Sequence, residues 1–267
     1  MKSFIGYPGG KSRLAKRLLA NYFDVTSYVE PFAGGFSVGL TLLERGKIPV
    51  WINDLDKDVV ALWKAAIRHT DEFCDLISTT KVSVKTFYTL RERILANESR
   101  TILQRAIDKL VVHKLSYGNM GEMSGSPVGG KNQTGAWKFN VRWNPDSICQ
   151  AVRRVAKMFG DTTITSLSVF DMLPEIPKDA LVYLDPPYVT AGGKCYKHAF
   201  TEEDHRDLST ALKSVKFNWF MTYDNNPLIK EIYEGQIHEF TLNYQASSAY
   251  RKGEKLKPNT ELFIRSI

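Results

Sequence analysis

Cysteine is scarce. Three stand in 267 residues, at positions 74, 149 and 195, far apart and without a CxxC pair. An odd number so spaced argues against a disulfide framework and against a zinc site, and it fits a reducing cytoplasm. No apolar run approaches the roughly eighteen residues needed to cross a bilayer. No charged-then-apolar leader opens the chain, and no internal repeat or low-complexity tract interrupts it. Two phosphate-binding signatures are also missing. YPGGK (7–11) places Ile5 where a P-loop needs its first glycine. GSPVGGKN (125–132) supplies Gly125, Gly130 and Lys131, but Asn132 replaces the Ser/Thr that holds magnesium, and no strand precedes it. The full GxGxxG pattern is absent, which argues against a nicotinamide dinucleotide.

Positive charge, in contrast, is plentiful. The formal net charge is +7. Residues 1–23 hold Lys2, Lys11, Arg13, Lys16 and Arg17 with no acid. Residues 109–157 hold eight Lys/Arg against Glu122 and Asp146, a net +6. The segment RKGEKLK (251–257) adds four bases against one acid. Clustering of this kind points to a polyanion, and nucleic acid is the natural one.

With 43% hydrophobic residues the chain is large enough for one domain carrying an inserted lobe. Short β-rich runs alternate with helical patterns in two blocks. SYVEPF (27–32), IPVWIN (48–53), TTITSLS (162–168), ALVYLD (180–185) and FNWFMTY (217–223) read as strands. Helices are expected over about 36–45 and over Glu202–Lys213, the latter capped by Thr201 with Asp204 three residues on. Such alternation predicts a mostly parallel sheet covered on both faces. IHEFTLNY (237–244) and TELFIRSI (260–267) have no helix between them and predict an antiparallel pair at the sheet edge. Residues 57–116 read as about three helices, and the six glycines of 117–136 as a long loop. A further helix begins at Asn144-Pro145 and stops at Gly160. The expected division is a catalytic α/β domain, 1–56 plus 145–267, interrupted by a helical and loop-rich lobe at 57–144.

Three motifs carry chemistry. EPFAGG (30–35) follows the first strand, where glycines admit a ligand close to the backbone. Asp54 ends the next strand, twenty residues after Gly34. An acid at that place holds ribose hydroxyls in nucleotide-binding α/β folds. DPPY (185–188) ends an apolar strand. Pro187 restricts Pro186 to an extended conformation and so fixes its carbonyl. That carbonyl and the Asp185 carboxylate form two acceptors, which suit the two N–H donors of a planar exocyclic amine, and Tyr188 offers a flat face to a base.

DPPY preceded by FAGG and an N-terminal GGK resembles the Dam-type DNA adenine-N6 methyltransferases, in that family's α order and over nearly the whole chain. FNV (139–141) and ELFI (261–264) resemble further family segments. The resemblance implies a seven-stranded, mostly parallel S-adenosylmethionine-dependent methyltransferase sheet with an inserted DNA-recognition lobe. It implies methyl transfer from S-adenosylmethionine to the N6 amine of an adenine flipped out of double-stranded DNA. It implies cofactor contacts from Tyr7, Lys11, Phe32, Ala33, Gly34, Gly35, Asp54, Phe170, Asp171 and Asp185. Asp185, Pro186, Pro187 and Tyr188 form the catalytic turn. DNA contacts are expected from Lys114, Asn119, Lys131, Lys138, Asn140 and Arg142, and a lid from TAGGKCYKHAF (190–200). A cytoplasmic monomer that needs neither metal nor membrane completes the expectation.

One departure matters. Relatives that read GATC carry an arginine after an Asn-Gly in the recognition loop, and YGNMGEMSG (117–125) has none. GATC is therefore not carried over, and Arg142 or Lys131 is left either to read a guanine or to hold phosphate. Three other readings compete. Cytosine-N4 enzymes carry SPPY in contrast to DPPY. Protein glutamine methyltransferases carry NPPY and have less reason for a basic lobe. A catalytically silent DNA-binding relative would have no need of an intact DPPY with Asp54 and Lys11.

Overall fold

The structure is a computed structural model and describes residues 3–7, 9–190, 197–242 and 259–266. Its centre is a seven-stranded sheet in the order β3-β2-β1-β4-β5-β7-β6. The strands are β1 (Ser27–Glu30), β2 (Val50–Asn53), β3 (Thr162–Thr165), β4 (Ala180–Leu184), β5 (Asn218–Asp224), β6 (Ile237–Leu242) and β7 (Asn259–Arg265). The pairings from β3 to β5 are all parallel. β7 is antiparallel to both β5 and β6, so six strands share one direction and β7 opposes them. The expected antiparallel pair is present at the sheet edge.

Sequence pattern explains the sheet. Every residue of β4, ALVYL, is buried, as a central parallel strand covered on both faces requires. β1 is flanked by β2 and β4. The chain therefore leaves β1 toward one edge and returns at β4 on its other side. The carboxyl ends of β1 and β4 border the switch point, where open α/β sheets place ligands. EPFAGG and DPPY follow these two strands.

The helices are α1 (Ala15–Leu18), α2 (Ser37–Leu43), α3 (Lys57–Arg68), α4 (Thr70–Thr79), α5 (Val84–Leu95), α6 (Ile102–Leu115), α7 (Pro145–Ala156), α8 (Val169–Met172), α9 (Glu202–Leu212) and α10 (Pro227–Ile232). Residues 57–116 hold four helices where about three were expected, because α3 and α4 meet at the single residue His69 with no loop. Asn144 caps α7 as expected, but the helix ends at Ala156, four residues before Gly160. Thr201 and Asp204 close a full capping box on α9. Residues 117–142 form 3-10 turns and loop. One continuous hydrophobic cluster joins sheet residues such as Tyr28 and Ile52 to Trp63, Phe73, Phe87 and Leu110 of the helical segment. No helix among the described residues is long and apolar enough to cross a membrane.

Candidate active site

The turn after β1 is built around a buried carboxylate. Glu30 accepts hydrogen bonds from Tyr28 Oη and the Gly39 amide, both at 2.7 Å. Burial pushes its carboxyl up to about 8. Phe36 sits in the left-handed region at φ 50° and lays its ring over Gly39, where any Cβ would collide with it. Gly34, at φ +43°, turns the chain so that its amide donates to Asp54 Oδ2 at 2.9 Å. Asp54 Oδ1 accepts from the Asp56 amide at 2.9 Å. The two features twenty residues apart are thus bonded to each other. Burial, reinforced by Asp56, raises the Asp54 carboxyl to about 6.

The DPPY turn is held from two sides. Lys11 Nζ lies 3.0 Å from both oxygens of Asp185, and Thr222 Oγ1 on β5 donates to Oδ1 at 2.8 Å. Lys11 is buried and stands 4.9 Å from the centre of the Tyr188 ring, a cation–π contact. Glu261 on β7 approaches Lys11 Nζ at 4.0 Å, and burial raises its carboxyl to about 7. Asp224, at the end of β5, accepts from the amides of Val189 and Thr190 and so fixes the chain leaving the motif.

A cleft opens between these turns, with about 1060 Å³ of empty space including its mouth. Tyr7, Lys11, Phe32, Ala33, Gly34, Gly35, Asp54, Asp185 and Pro187 line it, so most of the expected cofactor set converges. Pro186, Tyr188, Phe170 and Asp171 do not line it. Pro186 is buried, and Tyr188 touches the cleft through Lys11. Asp171 is exposed and bonds Ser168, the cap of α8, outside the lining of the cleft. Phe170 reaches the cleft only through Phe200, a lining residue 6.4 Å away between ring centres. Lys197, His198 and Phe200 close one side, while residues 191–196 of the expected lid lie outside the described residues.

The opposite wall comes from the helical segment. Lys109 and His113 of α6, with Met120, Glu122 and Met123, line the cleft. Lys109 Nζ bonds Asp56 Oδ2 at 2.6 Å and Glu122 at 2.7 and 2.9 Å, all buried. Burial and the Lys109 charge hold the His113 imidazole well below its ordinary value, and its ring packs on Tyr7 at 4.4 Å. The Tyr7 hydroxyl is buried without a hydrogen-bond partner among the described residues.

Two basic residues depart from the expected surface. Lys109 and Lys11 are interior ion-pair partners, not outward charges. Lys131, Lys138 and Asn140 are exposed. Lys114 is half-buried at the end of α6, where desolvation first and Arg142 second lower its ammonium. Arg142 bonds Asn119 Oδ1 at 2.7 Å and the Ser116 carbonyl at 3.1 Å, so both of these predicted contacts are engaged with each other. Glu30, Lys109, His113, Glu122, Thr222 and Glu261 escape sequence reasoning. Glu30 opens EPFAGG, Glu122 lies in YGNMGEMSG, Thr222 in FNWFMTY and Glu261 in ELFI, but none of these segments was read for the role its residue takes here.

The sequence is similar to those of known enzymes. A family profile described as D12 class N6 adenine-specific DNA methyltransferase matches residues 7–246. The type II methyltransferase M.CviBI of Paramecium bursaria Chlorella virus NC1A is 28% identical over 278 aligned residues that cover all of both chains. The Retron Ec67 DNA adenine methylase of Escherichia coli is 22% identical across this whole chain and 92% of its own. The type II methyltransferase M.MjaIII of Methanocaldococcus jannaschii is 22% identical over 78% of this chain and 76% of its own. A profile match over most of the chain, on a fold that brings EPFAGG, Asp54 and DPPY to one cleft, places this protein in the D12 class N6 adenine-specific DNA methyltransferase family, enzymes that methylate adenine N6 in DNA.

Proposed function

We propose that the cleft binds S-adenosylmethionine and that the DPPY turn presents to it an adenine swung out of double-stranded DNA. The observation that carries the proposal is Asp185 at the β1/β4 switch point, with acceptor capacity to spare. A carboxylate offers about four lone-pair sites. Lys11 and Thr222 use three of them.

The cleft suits this cofactor chemically. Asp54, Asp56 and Asp185 give it acidic walls for a sulfonium and an ammonium, and Phe32, Phe36 and Phe200 give apolar surface for a purine. The buried, unsatisfied Tyr7 hydroxyl supplies a donor that a polar ligand would satisfy. S-adenosylmethionine supplies, when bound, a methyl group activated by a sulfonium. Tyr7, Lys11, the 32–35 turn and Asp54 are the residues that would hold it.

The chain's own task is orientation. The exocyclic amine of adenine has its lone pair delocalised into the ring. Asp185 and the Pro186 carbonyl accept its two N–H bonds, which turns the lone pair out of conjugation. Asp185 is then placed to take the proton the amine sheds. Tyr188 offers the base the face away from Lys11, and stacking there offsets about 1–3 kcal/mol of the cost of unpairing. Residues 57–144 serve as the target-recognition lobe, with Lys131, Lys138 and Asn140 toward the phosphates, and the enzyme works as a monomer.

Asp185→Ala should lower label transfer from S-adenosylmethionine to DNA by about two to three orders of magnitude, the worth of one preorganised hydrogen-bonding group aimed at a transition state. DNA affinity in a filter-binding assay should stay as it is in the parent protein. Transfer surviving at more than a tenth of the parent rate would remove Asp185 from the mechanism.

A further inference from the structure

The two oxygens of Asp185 are not equivalent. Lys11 Nζ lies 3.0 Å from each of them. Thr222 Oγ1 donates to Oδ1 alone, at 2.8 Å. A threonine hydroxyl has one proton to give, and here the carboxylate takes it. The 2.7 Å contact between the Tyr183 and Thr222 hydroxyls therefore has a fixed sense, with Tyr183 donating and Thr222 accepting. Tyr183, Thr222 and Asp185 form a one-way chain from β4 through β5 to the catalytic turn, and each bond polarises the next.

Thr222 sits where packing alone calls for an apolar residue. It is 2% exposed, between fully buried Met221 and Tyr223 in the interior of β5. A valine has nearly the same shape and avoids the cost of burying a hydroxyl. The hydroxyl's partners are the Tyr183 phenol and the carboxylate of the motif. Lys11 and Thr222 together fill the two lone-pair sites of Oδ1, while Oδ2 meets only Lys11 among the described residues.

We infer that Thr222 is a positioning residue for methyl transfer. By occupying Oδ1 it locks the carboxylate's rotation and leaves Oδ2 as the acceptor offered to the substrate's amino group. The inference rests on the reading that Asp185 holds that amine.

The test compares T222V, T222S, Y183F and D185A with the parent enzyme by steady-state label transfer and by calorimetric titration with S-adenosylmethionine. T222V should lower kcat by about ten- to a hundredfold, the worth of a hydrogen bond to a charged group. Its KM for DNA and Kd for the cofactor should stay within about twofold, because the interaction serves orientation rather than ground-state binding. T222S keeps the hydroxyl and should recover most of the rate. Y183F should lose several-fold in kcat only. Unchanged kcat in T222V overturns the inference. So does an equal loss in T222S and T222V, or a loss that tracks weakened cofactor binding, since either marks a packing role. D185A separates the two levels: if it transfers methyl normally, the amine reading itself fails, whereas an inactive D185A beside a fully active T222V sinks only the role of Thr222.

Discussion

Asp54 does two jobs with one carboxylate. It braces the glycine turn through the Gly34 amide, and it faces the cleft with a carboxyl raised to about 6. The raised value means that protonation begins near neutrality. In the proposed reading the ionised form accepts the ribose hydroxyls, so cofactor affinity should fall as pH drops through about 6. Asp54→Asn cannot titrate. It should bind S-adenosylmethionine more weakly at pH 8 than the parent protein and should lack the parent's fall near pH 6. Calorimetric titrations at four pH values decide it, and a parent profile that falls no further near pH 6 than the variant's would take the ribose role from Asp54. The side chains at this scale were legible to unequal degrees. Asp54 and Asp185 announce themselves because they end strands and neighbour turn residues. Thr222 does not, because an isolated threonine inside FMTY is what an ordinary strand contains, and its partner lies 37 residues away.

The element most responsible for joining the helical segment to the sheet is α6. Lys109 projects from its middle between Asp56, the cap of α3, and Glu122 in the loop that follows. A buried charge deprived of its partner is costly, so Lys109→Ala leaves two uncompensated carboxylates in the interior. The variant should lose about 3–5 kcal/mol of stability. Urea denaturation followed by tryptophan fluorescence measures this, and a loss below about 1 kcal/mol would place the triad among weak surface pairs. Counting charge along the chain assigned Lys109 to the outer surface, because burial is set by a partner 53 residues away and not by neighbours in sequence. The strands were legible from β-rich apolar runs and the capped helices from their first residues. The number of helices in 57–116 was not, since His69 breaks α3 from α4 without glycine, proline or a polar loop.

At the scale of the whole molecule, burial of Lys109 and Glu122 removes one charge of each sign from the 109–157 stretch. Its outward excess of positive charge survives in Lys131, Lys138 and the α7 arginines, although Arg153 is already paired with Asp71. Lys131→Ala should weaken DNA binding similarly for all sequences and reduce the salt slope by about one unit. A loss confined to one base position, with the slope intact, would make Lys131 a base reader instead. The family, the mostly parallel sheet with its antiparallel edge pair and the strand ends that carry the three motifs were readable in advance, because each depends on local turn chemistry and strand pattern. The wall that α6 contributes was not readable, because it depends on how an insertion folds back over the sheet.

The account's central claim is that the cleft carries a methyl group from S-adenosylmethionine to adenine N6 in DNA. The most direct test incubates the protein with duplex DNA and cofactor labelled in its methyl group, digests the DNA to nucleosides and separates them by chromatography. Label should co-elute with N6-methyldeoxyadenosine and vanish in Asp185→Ala. Label in N4-methyldeoxycytidine, or cofactor binding without label in any DNA, would contradict it.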